Sequence, residues 1–106
     1  MRILKRDGVE AEFDRKKIER AIEKANKSVT ANERLSEDVI KDIALKIEQD
    51  CSAAGTIPTV ESVQDKVIYA IMSAGAYVLA NNYIIYRYTH ALQRQKNTTD
   101  DKISAI

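Results

Sequence analysis

Four apolar stripes, each spaced at three and four residues and each bracketed by its own start and stop signals, decide most of what this chain can become. Asp14 offers a side-chain oxygen as an N-cap, and Ile18, Ala21, Ile22 and Ala25 follow on one face, predicting a first helix over 14–27. Ser36 starts a second, with Glu37 and Asp38 in the first turn, where carboxylates complement the helix dipole. Its inward stripe is Val39, Ile40, Ile43, Ala44 and Ile47, and Ala53-Ala54-Gly55 ends it. Pro58-Thr59 restarts the chain, with Thr59 as cap, Val60, Val63, Val67, Ala70 and Ile71 inward, and Gly75 as the stop. Residues 76–96 read as a long fourth helix with Ala76, Leu79, Ala80, Tyr83, Ile84 and Arg87 sharing a side.

Ahead of the first helix, residues 2–13 carry Asp7-Gly8 between two short segments, a dipeptide suited to a two-residue hairpin turn. That turn would set Lys5 opposite Glu10 and Arg6 opposite Val9. A hairpin is marginal by itself, so it must lie across the helices. The fold class is mainly α (α+β), a four-helix bundle capped by a small N-terminal β-hairpin. At 106 residues one core is all the chain can fill. Residues 1–96 form that domain, and 97–106, opening Asn97-Thr98-Thr99-Asp100-Asp101, read as a polar tail or linker.

Composition excludes several functions. Seventeen Lys and Arg against sixteen Asp and Glu leave a net charge of +1, so no whole-molecule field draws the chain to nucleic acid or an anionic membrane. Any anion site must be local. The single cysteine, Cys51, excludes an internal disulfide and any site needing several thiolates, and it reads as a buried small hydrophobe. The apolar run at Met1-Arg2-Ile3-Leu4 is too short for a signal peptide, and no stretch approaches the ~18 apolar residues of a membrane span, which predicts a cytoplasmic protein.

Cations are unevenly placed. Lys5 and Arg6 precede the turn, and Arg15, Lys16 and Lys17 crowd the start of the first helix, where the dipole is already positive. Such residues fit a solvated face, and they equally fit a phosphate site built from helix N–H groups and adjoining cationic side chains. Periodicity does not choose between the two.

The chain resembles the ATP-cone family over nearly all of residues 2–96. Ile3-Leu4-Lys5-Arg6-Asp7-Gly8 is similar to its hairpin, Phe13-Asp14 and Lys17-Ile18 to the opening of its first helix, and Val63-Gln64 to a later helix start. Tyr83-Ile84-Ile85-Tyr86-Arg87 is similar to its Tyr-Ile-x-Tyr-Arg ending. That ending, with Ile71-Met72-Ser73, looks most like the cones at the front of anaerobic, glycyl-radical ribonucleoside-triphosphate reductases.

The resemblance implies an allosteric domain that binds ATP or dATP, with Mg²⁺, beneath the hairpin and controls the overall activity of an attached reductase. It implies nucleotide-binding residues Ile3, Lys5, Arg6, Asp14, Lys17, Ile18, Val63, Gln64, Tyr86, Arg87 and His90. Lys5, Arg6 and Lys17 would meet phosphates, Asp14 the adenosine part, and Ile3, Ile18 and Val63 the adenine. Tyr86, Arg87 and His90 would supply a wall and a further cation. His90 replaces a common lysine, and Ala11 stands where some relatives carry a glutamate. Implied partners are the nucleotide, the catalytic domain of the parent reductase, and a second cone in nucleotide-dependent self-association. The chain itself lacks the cysteine pair and glycyl-radical loop of the reduction chemistry. Two alternatives are the cone of a reductase-gene transcriptional regulator, which a lone cysteine disfavours because those proteins carry a zinc ribbon, and a helical interaction module without ligand.

Overall fold

The computed structural model describes the backbone of residues 1–104 and the side chains of residues 1–92. Two strands, β1 (Arg2–Leu4) and β2 (Glu10–Glu12), precede α1 (Arg15–Asn26), α2 (Glu37–Ala53), α3 (Val60–Ser73) and α4 (Tyr77–Ser104). A single turn of 3₁₀ helix over Ala31–Glu33 interrupts the α1–α2 connection. The expected fold class is what the chain adopts.

The cap residues act as their chemistry predicts. Asp14 accepts from the Lys16 N–H, Ser36 from that of Val39, and Thr59 from that of Ser62. Ser62 completes a capping box by accepting from the Thr59 N–H at 3.2 Å. Gly55 and Gly75 follow the ends of α2 and α3 at positive φ. Helix α4 runs past the expected end at Lys96 to Ser104, because no glycine or proline lies in that stretch to stop it.

The four helices pack in a ring, α1 against α2 and α4, and α3 against α2 and α4. Ile22, Ile40, Val67, Ile71 and Leu79 fill its centre, with Cys51 among the buried residues. Burial pushes the Cys51 thiol above its usual range, which suits an unreactive packing group. Val39 and Ile84, expected inward, stay exposed because each lies at the edge of its stripe. The 3₁₀ connection is held by Asn26, whose side chain donates to the Leu35 carbonyl at 2.9 Å and accepts from the Leu35 N–H at 3.1 Å.

The hairpin departs from the expected register by one residue. Arg2 pairs with Glu12, Ile3 with Ala11 and Leu4 with Glu10, so Lys5 stands opposite Val9 rather than Glu10. Only Gly8 takes a positive φ, at 85°. Asp7 does not, and instead its side chain accepts from the Val9 N–H at 3.0 Å. A three-residue loop with glycine in the left-handed position results. Ile3 and Lys5 are two residues apart along extended backbone, so alternation sets them on the same side, whichever residues they face across the hairpin.

Candidate functional site

A cleft of about 240 Å³ opens between the hairpin, the start of α1 and the start of α3. Backbone geometry places it: the Leu4 N–H donates to the Pro58 carbonyl at 2.9 Å, and Leu4 forms a parallel bridge with Thr59. This ties β1 to the residue that caps α3, so the hairpin lies over the α1–α3 side of the bundle.

The floor is apolar and belongs to the core. Ile18, Val63 and Tyr83 line the cleft and are also members of the buried cluster, with Ile3, Phe13 and Ala21 packed beside them. Burial pushes the Tyr83 hydroxyl up to about 12, against a smaller downward pull from Arg87. That side chain therefore presents a neutral group to the cleft. The rim carries Lys5 and Lys17, neither ion-paired among the described residues, together with Glu12, Asp14 and Gln64.

The carboxylates on the rim are already engaged. Glu12 meets Arg2 at 3.2 Å and the N-terminal amine at 3.9 Å. Asp14 caps α1 with one oxygen and lies 3.6 Å from Arg20 with the other. Among the described residues no group of three or more His, Cys, Asp or Glu side chains is placed to hold a metal.

The structure therefore brings Ile3, Lys5, Asp14, Lys17, Ile18, Val63 and Gln64 to one cleft, and not the remaining four residues. Arg6 points away to α3, where its Nε donates to Glu61 Oε1 at 2.6 Å and Nη2 to Gln64 Oε1 at 3.0 Å. Arg87 donates to Asp65 at 2.7 Å. Tyr86 and His90 lie against each other with ring centroids 4.1 Å apart and planes tilted by 43°. These three residues of α4 continue the face of Tyr83 by one and two turns, beyond the cleft wall.

The cation cluster at the start of α1 divides as well. Arg15 bridges to Glu48 of α2 at 3.2 Å, a structural role, while Lys17 reaches the cleft. Phe13, Ala21, Val60 and Tyr83 were not foreseen as lining residues. Tyr83 was legible as inward-facing, but a helical stripe carries no sign of which core residue ends at a cavity.

Comparison with known proteins accords with this geometry. Residues 1–92 match the ATP cone domain family. The chain is similar to the ribonucleoside-diphosphate reductase subunit alpha of Chlamydia muridarum, 31% identical over 109 residues, covering 95% of this chain and 10% of that protein. It is 36% identical over 106 residues to the subunit of the same name from Chlamydia pneumoniae, covering 92% and 10%. The chain thus spans about a tenth of the length of the relatives it matches. It belongs to the ATP cone domain family.

Proposed function

We propose that this ATP cone binds ATP or dATP in the hairpin cleft and, through that binding, regulates a ribonucleotide reductase of which it is part. One observation carries the reading: a cleft with an apolar floor of Ile3, Ile18, Val63 and Tyr83 has on its rim two lysines, Lys5 and Lys17, without ion-pair partners among the described residues. Apolar walls suit a purine face, and ammonium groups suit phosphate. At about 240 Å³ the cleft is smaller than the usual ~300 Å³ lower bound of a ligand pocket. Base and sugar would sit inside and the phosphates at the rim, within reach of Lys5, Lys17 and the neighbouring Arg6.

Asp14 would meet the sugar, and Tyr86, Arg87 and His90 would border the phosphates from α4. Mg²⁺ would enter on the phosphates, since this ion keeps most of its waters and needs one or two carboxylates at most. Glu12, on the same rim, would orient those waters on leaving its pair with Arg2. The cone occupies residues 1–96, and 97–106 lead toward the catalytic region, as a helix as far as Ser104.

Regulation follows from linkage. Two nucleotides differing by one 2′-hydroxyl shift an equilibrium only as far as each binds its two states unequally. Nucleotide-dependent pairing with a second cone supplies such states. The outer face of α4, where Tyr77, Ile84, Ile85, Tyr88 and Leu92 stay exposed at helical spacing, is the surface that suits it. For the parent enzyme, the Ile71-Met72-Ser73 and Tyr83-to-Arg87 segments favour an anaerobic triphosphate reductase. A coding sequence continuing beyond Ile106 into a glycyl-radical loop would support that assignment, and one continuing like the diphosphate-reductase relatives would overturn it.

The test of binding is thermal unfolding with sub-millimolar ATP and dATP. A rise in Tm that disappears in Lys5→Ala/Lys17→Ala, with the ligand-free Tm unchanged, supports the reading. No rise with either nucleotide overturns it.

A further inference from the structure

Arg6 sits in the hairpin loop next to Lys5, yet its guanidinium is turned outward onto α3. Its Nε donates to Glu61 Oε1 at 2.6 Å and its Nη2 to Gln64 Oε1 at 3.0 Å. The two acceptors are three residues apart, so they lie on one face and match the fork of a planar guanidinium. Glu61 occupies the first turn of α3, where the helix dipole favours a carboxylate. Gln64 belongs to both arrangements, lining the cleft and accepting from Arg6. A guanidinium engaged this way cannot simultaneously direct the same N–H groups at a phosphate.

We infer that Glu61 is an affinity-setting residue: it competes with nucleotide phosphate for Arg6, so phosphate binding must break the Arg6–Glu61 pair and frees Gln64 at the cleft edge. The inference rests on the nucleotide reading of the cleft. It also gives occupancy a structural readout, because the group released lies at the start of α3, the same turn to which β1 is tied through Pro58 and Thr59.

The scale follows from exposure. The Arg6 and Glu61 side chains are 35% and 49% exposed, and pairs so open to solvent gain little from each other. Removing the competitor should therefore tighten binding about three- to fivefold, not by orders of magnitude.

Isothermal titration of the whole chain with ATP tests this in wild type, Glu61→Gln, Arg6→Ala and the double variant, each checked for an unchanged ligand-free Tm. The expected result is about three- to fivefold tighter binding by Glu61→Gln, shrinking as salt is raised and largely absent when Arg6 is alanine. Equal or weaker binding by Glu61→Gln overturns the competition. A gain that persists undiminished in the Arg6→Ala background also overturns it, assigning the effect to loss of a nearby negative charge. Wild type that binds no ATP overturns the functional reading, and this inference with it.

Discussion

The bundle centre and the hairpin cleft share Ile18, Val63 and Tyr83, yet they are held together by different physics. At the centre Ile22, Ile71 and Leu79 are fully buried and non-directional packing does the holding. At the cleft the hairpin and rim above the same floor are held by a few directional contacts, Leu4 to Pro58, Arg6 to Glu61 and Gln64, and Asp14 to the start of α1 and Arg20. A stable wall therefore lies beneath a rim that can change partners at small cost, which is what a site that must both exist without ligand and respond to ligand requires.

The sharpest break in that comparison is Ile71→Ala. A cavity at a fully buried site should cost about 2–5 kcal/mol and lower the denaturant midpoint correspondingly, and a loss under 1 kcal/mol would show the centre to be loosely packed. Next is Tyr83, which belongs to both regions. Its hydroxyl titrates near 10 when unfolded and at about 12 in place, so the neutral form is favoured by folding. That stabilisation is intact below pH 10 and is lost as pH rises toward 12. The loss is on the order of 2 kcal/mol, measured as a steep fall in stability that Tyr83→Phe removes.

At the junction, Thr59→Ala deletes the capping box of α3 and should cost about 1 kcal/mol, read as a lower Tm. The smallest effect belongs to the rim: Lys17→Ala should leave stability within about 0.5 kcal/mol, because the side chain makes no ion pair among the described residues. If Lys17→Ala destabilised the fold as much as Thr59→Ala, the division between wall and rim would fail.

Helices α1, α2 and α3 were legible nearly to the residue, since Asp14, Ser36 and Thr59 each combine a cap oxygen with a following apolar stripe. The end of α4 was not, because polar residues without a breaker are compatible with both helix and coil. The hairpin register was missed for a related reason. Asp7-Gly8 fits a two-residue loop, but the geometry needs positive φ at both positions, and Asp7 gains more from its hydrogen bond to the Val9 N–H.

In the site, Ile3, Lys5, Asp14, Lys17, Ile18, Val63 and Gln64 converge on one cleft. Arg6 and Arg87 do not, because a carboxylate on α3 lies within reach of each, and no sequence spacing reveals a partner 55 or 22 residues away. Tyr86 and His90, at successive turns of α4, are implied by the resemblance alone, and helical spacing orders residues along a helix without saying where the neighbouring wall stops.

The tie between Leu4 and Pro58 also fixes when the site can come into being. Nucleation within residues 2–12 is local and fast, but the contacts that make it a cleft join β1 to Pro58 and Thr59, which emerge only after α1 and α2. On a ribosome, the hairpin waits without a surface to close upon until α3 has been synthesised. Lys5 comes to line one cleft with Val63 and Gln64 only then, so the pocket reports that the bundle beneath it has been assembled.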